Sequence, residues 1–306
     1  MTRPTRETTE GRVYLDLQRQ ARRDARPFDE LLALYTLEGF LARLAVSAHA
    51  RNFVLKGGLL LAAYDARRPT RDADFAARQM ANDVGEVTRT IEEIAAIAVD
   101  DGLLFDIDSA RGEVIRDEDA YSGVRVHLDC RLATAKTHLK VDVNIGDPIT
   151  PAPEEIHVPR LLDETETIDL VGYPLPMVHA EKIVTALQRG TVNTRWRDFA
   201  DVYLLSRQHP VQCDDVATAI RTVAQHRGAE VAPLAVALDG YADVPGVQGK
   251  WAAWRRKQEL DDRLPESFRD VLTNVFAFAD PALTGDAAGT DWRPDDLAWR
   301  TQDQHV

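Results

Sequence analysis

An α+β fold in two lobes is what this sequence predicts, and three patterns carry the prediction. Apolar residues first recur at helical spacing, in Leu34, Leu37, Leu41 and Leu44 and then in Val84, Val87, Ile91, Ile94 and Ile97. From Leu103 to Ile145 the period falls to two, as in strands joined by hairpins. A break with prolines at 148, 151, 153 and 159 follows, and helical spacing then returns. The expected organisation is a domain of residues 1–150 with its N-terminal helices and a mainly helical domain of residues 151–306.

Residues 1–12 are polar and expected to be loose, and Val13–Arg26 reads as a charged helix halted by Pro27, which fixes φ and has no N–H. Pro27-Phe28-Asp29 opens a longer helix expected to end near Ala50. Phe53-Val54-Leu55 is a short apolar run that Lys56-Gly57-Gly58 stops, and Leu59–Ala66 then reads as helix. Another helix is expected over Asn82–Val99, and strands over 104–107, 113–115, 124–130 and 139–145. In the last of these, Leu139, Val141, Val143 and Ile145 share one face, and Lys140, Asp142 and Asn144 share the other. Glu155–Val158 and Thr167–Val171 read as edge strands. Helices are expected over 177–189, 196–206, 214–226, 248–257 and 266–278, with Trp251 and Trp254 in the core. The aspartate-rich tail beyond Pro281 either docks on the body or moves freely.

The stretch Asn52–Phe75 carries the chemistry. Two glycines between strand and helix let backbone N–H groups approach a ligand, and the helix's first turn leaves further N–H groups unpaired, so the turn suits a phosphate. Arg71-Asp72-Ala73-Asp74-Phe75 alternates, and a strand there puts Asp72 and Asp74 on one face. Two carboxylates so placed repel unless Arg68, Arg71 or a divalent cation answers them. Mg²⁺ held by one or two carboxylates keeps its other positions for water and phosphate, so the two halves imply a magnesium–nucleotide site. Asp142 adds a third carboxylate if its strand lies beside this one, or simply pairs with Lys140 or Arg125. The G-x-x-x-x-G-K-[ST] phosphate loop is absent.

Composition narrows the function. A net charge of −13 and a pI near 5.1 count against a protein that coats nucleic acid non-specifically, though not against a local basic cleft. Cys130 and Cys213 form no C-x-x-C pair and the histidines are scattered, which argues against a zinc enzyme. No membrane-spanning run is present, and the N-terminus lacks the apolar core of a signal peptide, so the expected compartment is the cytoplasm.

Lys56-Gly57-Gly58 followed by Arg68-Pro69-Thr70-Arg71-Asp72-Ala73-Asp74-Phe75 resembles the signature of AbiEii-type (MenT-type) nucleotidyltransferase toxins of bacterial toxin–antitoxin systems. Glu181-Lys182 and the later Arg195-Trp196-Arg197-Asp198-Phe199-Ala200-Asp201 resemble the same family's second motif. The resemblance implies a DNA-polymerase-β-like core, a mixed sheet flanked by helices, followed by a helical lobe. It implies Mg²⁺ or Mn²⁺ on Asp72 and Asp74, with Asp142 in the third acidic position. The NTP would meet Lys56, Gly57, Gly58, Arg68, Thr70 and Lys182, with Asp198 completing the active site. The acceptor would be RNA, at a tRNA 3′ end, and a cognate antitoxin would accompany the enzyme. Arg189, Arg195 and Arg197, close in sequence to Lys182 and Asp198, are the candidate RNA-binding cations. Leu59 stands where many relatives have Ser or Thr, which removes one expected phosphate contact. Two other functions fit the same residues: transfer to a small-molecule or protein hydroxyl, and a catalytically silent nucleotide-binding regulator.

Overall fold

The computed structural model describes residues 4–116 and 122–301. The chain divides into two compact units, Met1–Asp147 with Glu154–Gly172, and Pro148–Pro153 with Tyr173–Val306.

In the first unit, Thr8 accepts the Gly11 N–H at 3.2 Å and so caps α1, Thr9–Arg23, which begins earlier than its apolar pattern indicates. The helix therefore takes in residues expected to be loose; residues 1–3 of that stretch lie outside the described residues. Helix α2, Phe28–Ala45, is buried along almost its whole length and stops short of Ala50, where the Ser47 hydroxyl accepts the His49 N–H and turns the chain. Strand β1, Phe53–Lys56, passes directly into the one-turn helix α3, Gly57–Leu60, which tightens into a 3₁₀ turn over Leu61–Tyr64. Strand β2 is Ala73–Ala77, and α4, Val84–Ala95, is capped by Asp83 and leaves Ile97 beyond its end. The two short strands expected near 104–107 and 113–115 are one strand, β3, Leu103–Arg116, whose register shifts between Asp106 and Arg111. Strands β4, Ser122–Leu132, and β5, Ala135–Ile145, complete a meander.

Strands β6, Glu154–Pro159, and β7, Thr167–Gly172, form a hairpin that joins the same sheet, in the order β3-β4-β5-β2-β1-β7-β6. β6 is an edge strand as expected, whereas β7 lies inside the sheet, and the compact units divide at other positions than residue 150. β7 runs parallel to β1 inside the sheet, so its backbone pairing ties 154–172 to the first unit. The sheet is mixed, with β2 parallel to β5 and the meander antiparallel, and α2 and α4 pack against it.

The second unit is mainly helical: α5, Leu175–Arg189; α6, Trp196–Ser206; α7, Cys213–Arg227; α8, Leu234–Ala237; α9, Val247–Lys257; and α10, Phe268–Thr284. Its core is aromatic, with Phe268 in edge contact with Trp196, Phe199 and Tyr241 and Trp251 fully buried. Helix α10 continues through Pro281, past its expected end at Phe278. The tail docks as far as residue 301: strands β8, Thr290–Arg293, and β9, Ala298–Thr301, form a hairpin held by Trp292 and Trp299, whose indole N–H groups donate to Ser206 O at 2.5 Å and Phe278 O at 3.0 Å.

Candidate active site

The turn after β1 is built around one glycine. Gly57 has φ +69°, and a Cβ there would lie 2.0 Å from Asp74 Oδ2, so only glycine lets the chain turn against that carboxylate. Gly58 is nearly as confined, its would-be Cβ 2.9 Å from the Thr70 hydroxyl. Leu59 turns its side chain into the apolar interior beside Leu34, Leu41 and Val158.

Across the sheet the strand register lines up a row of charges. Lys56 on β1 faces Asp74 on β2, Asp74 faces Asp142 on β5, Asp142 faces Arg125 on β4, and Arg125 faces Glu113 on β3. The centre of that row is two adjacent carboxylates, a like-charge pair that destabilises a sheet unless something answers it. Asp72 joins them: oxygens of Asp72, Asp74 and Asp142 all lie within 4.8 Å of one another.

Two cations answer part of this charge. Arg125 grips Asp142 with both arms, at 2.8 and 2.7 Å, and that hydrogen bond raises the guanidinium's pKa. Lys140 Nζ is 3.1 Å from Asp72 and 3.8 Å from Asp142. Asp142 thus meets both partners the sequence left open and also stands in the acidic cluster. Three carboxylates thus crowd together with Lys140 and Arg125 beside them. The donors are all oxygens, which suits a hard divalent cation such as Mg²⁺ or Mn²⁺. Thr70 donates to Asp72 Oδ1 at 3.0 Å and Lys56 pairs with Asp147 at 3.0 Å, so both help hold the cluster's walls. Arg68, half-buried, runs beside Gly58.

The second unit holds a separate constellation. Lys182 on α5 donates to Asp201 at 2.6 Å and stands 3.7 Å from Asp198, while Arg195 Nε donates to Asp198 at 2.6 Å. Asp198 lies in the first turn of α6, where the helix dipole favours a negative charge, and the two aspartates are 4% and 2% exposed. Asn193 Oδ1 accepts the Arg195 N–H at 2.8 Å, fixing the approach to the helix. Of the other arginines, Arg197 is exposed, and Arg189 has its Nε buried without a hydrogen-bond partner among the described residues. Nearby on α5, His179 is fully buried, both ring nitrogens lack a partner among the described residues, and burial lowers its pKa to about 3.

A family model described as "Nucleotidyl transferase AbiEii toxin, Type IV TA system" matches residues 39–274, from within α2 to within α10. The chain belongs to the AbiEii family. It is thereby a nucleotidyltransferase of a type IV toxin–antitoxin system, for which the family implies an NTP substrate and a paired antitoxin. Two solved structures are similar: a candidate nucleotidyltransferase from H. pylori, 15% identical, covering 84% of this chain and 95% of its own with a TM-score of 0.47, and JHP933 from Helicobacter pylori, 15% identical, covering 81% and 89% with a TM-score of 0.44. Likenesses this distant have no bearing on function. None of the curated proteins compared with the chain matches it. Among the described residues no helix is long and apolar enough to cross a membrane.

Asp201, which ends the second motif without an expected role, and Asp147 join the expected residues. Asp201 had a signal: it follows Asp198 by one helical turn, so both point to the same side of α6. Asp147 had none, because its link to Lys56 joins positions far apart in the chain.

Proposed function

We propose that this AbiEii-family chain transfers a nucleoside monophosphate from an NTP to an RNA end, specifically a tRNA 3′ end, and that it works in the cytoplasm with a divalent cation held by Asp72, Asp74 and Asp142. The observation that carries the proposal is the like-charged Asp74–Asp142 pair at the centre of a cross-sheet charge row, with Asp72 beside it. Such a cation supplies neutralisation of the triphosphate and activation of the attacking hydroxyl.

The protein's own part is to hold these groups in place. Gly57 and Gly58 keep backbone close to Asp74 and open to a phosphate, and Arg68 and Thr70 flank the turn. Lys56 serves the turn through Asp147. Lys182, with Asp198, is assigned to the nucleotide on the family motif, and Arg189, Arg195 and Arg197 to the RNA on charge. Arg195 is already engaged by Asp198, which makes Arg197 the most accessible of the three.

The net charge of −13 favours a second acceptor class, a protein or small-molecule hydroxyl. One experiment separates the two: each labelled NTP is incubated with the protein, Mg²⁺ and total tRNA. The proposal expects one NTP to label tRNA, and expects expression of the chain to arrest bacterial growth with Asp72→Ala relieving the arrest. Label on protein or a small molecule, with none on RNA, replaces the first acceptor with the second.

A further inference from the structure

Of the cations beside the carboxylate cluster, Lys140 is the one least tied down. It lies two residues before Asp142 on the same face of β5, and its Nζ is 3.1 Å from Asp72 Oδ2 and 3.8 Å from Asp142 Oδ2. It thus bridges two of the three acids that the sheet brings together. The other cations here are committed. Arg125 holds both oxygens of Asp142 with a planar fork that cannot turn away without losing two hydrogen bonds at once. The Lys56 side chain is 9% exposed and pairs with Asp147. Lys140, by contrast, is 27% exposed, makes one hydrogen bond among the described residues, and carries its charge on a flexible four-carbon stem.

A divalent cation and the Lys140 ammonium call on the same acids. An ion held by Asp72 and Asp142 takes up carboxylate charge that the ammonium also answers, and two cations drawn to the same oxygens repel each other. The ammonium therefore opposes the ion. A nucleoside triphosphate resolves the conflict, because its phosphate oxygens accept from an ammonium as a carboxylate does. Lys182, the lysine that the family motif offers to the phosphates, is 12% exposed and stands within 4 Å of both Asp198 and Asp201, at 3.7 and 2.6 Å, so its charge is already answered.

We propose that Lys140 changes partners when the metal–nucleotide binds, leaving Asp72 and Asp142 to the ion and donating to the triphosphate instead. The proposal rests on the metal–nucleotide reading above. Its consequence is that the ion binds weakly by itself and well with its nucleotide, which couples metal loading to the arrival of substrate.

The test uses the full chain and its variants Lys140→Met and Lys140→Gln, which remove the charge, and Lys140→Arg, which keeps it. Mn²⁺ binding without nucleotide is read by paramagnetic resonance, binding of each labelled NTP by equilibrium dialysis in saturating Mn²⁺, and folding by a thermal melt. Both neutral variants are expected to bind Mn²⁺ about tenfold more tightly than wild type and the preferred NTP about tenfold more weakly, as loss of a charge-assisted hydrogen bond implies. Lys140→Arg is expected to stay within about threefold of wild type for Mn²⁺, since the charge is kept. The opposite signs decide the matter, because a lysine that only holds the carboxylates in place predicts weaker binding of both. Adding Asp74→Asn to Lys140→Met is expected to remove the gain, which locates the ion at the cluster. Mn²⁺ affinity of the folded neutral variants at or below the wild-type value overturns the proposal, and so does an unchanged NTP affinity; either result leaves the metal–nucleotide reading standing. If wild type and the folded variants bind neither Mn²⁺ nor any NTP, that reading falls as well.

Discussion

Two charge clusters, one in each unit, show how differently a protein can hold acidic groups. In the first unit, oxygens of three carboxylates lie within 4.8 Å of one another beside Lys140 and Arg125, and Asp72 is a third exposed. In the second, Asp198 and Asp201 face Lys182 and Arg195, the charges balance, and both acids are almost fully buried. A crowded set of like charges that solvent can reach is open to a cation. A balanced, buried one has its demands met internally, and removing one member strands the rest.

The largest expected effect tests that contrast directly. Asp74→Asn, and likewise Asp72→Asn, should lower nucleotide transfer by roughly a thousandfold or more with the fold intact, because a lost metal ligand removes several kcal/mol of transition-state stabilisation. Steady-state transfer rates beside a thermal melt read both quantities, and near-wild-type transfer by either variant breaks the assignment.

Asp201→Asn should instead act on stability. It takes away the 2.6 Å partner of Lys182, and breaking a buried pair costs about 3 kcal/mol or more, read as a lower denaturation midpoint, while Mn²⁺ binding measured by paramagnetic resonance stays at the wild-type level. The double variant Lys182→Met/Asp201→Leu should be milder than either single change. An unchanged midpoint for Asp201→Asn would sink the idea that this cluster is closed.

Gly57→Ala sharpens the first cluster's geometry. A methyl group 2.0 Å from Asp74 Oδ2 must push that carboxylate aside, and misplacement of this kind costs about a hundredfold in transfer. The backbone strain at positive φ adds only about 1–2 kcal/mol to the melt. Equal transfer by Gly57→Ala and wild type means that Asp74 does not need its present position.

The smallest effect is in pH dependence, where the units pull in opposite directions. Burial raises the Glu38 carboxyl from 4.5 to about 7, although the Leu161 N–H at 2.6 Å pulls the other way. The folded state therefore holds this proton longer than the unfolded chain, and the first unit loses stability as pH rises from 4.5 to about 7. His179 has the reverse sign: its folded value falls from 6.5 to about 3, so its contribution is complete above 6.5 and is lost as pH drops toward 3. Glu38→Gln should flatten the first slope, by about 3 kcal/mol across its window, and His179→Leu should flatten the second. Denaturant titrations from pH 4 to pH 8 measure both; a Glu38→Gln profile parallel to wild type breaks the first assignment.

Much of the site was legible in the chain because its logic is local. Lys56-Gly57-Gly58 could be read as a strand-to-helix turn, and the nearness of Asp72 to Asp74 from their spacing, although β2 begins at Ala73 and so takes in Asp74 alone. Helices α5, α6 and α7 fell within two residues of their expected ends for the same reason. Apolar spacing missed the start of α1, because the Thr8 cap set that boundary through a hydrogen bond rather than through burial.

What the sequence by itself determined was therefore the type of each element and the side on which each charge lies. Only the tertiary structure decided which strands became neighbours. β2 could have paired elsewhere; its parallel pairing with β5 is what sets Asp74 against Asp142, and the antiparallel pairing of β5 with β4 is what gives Asp142 its arginine. The entry of β7 between β1 and β6 moved the unit boundary past the prolines in the same way. Strand neighbours are chosen by backbone hydrogen bonds and burial over long sequence separations, where loop-closure entropy grows only slowly with length and so leaves little trace in local composition.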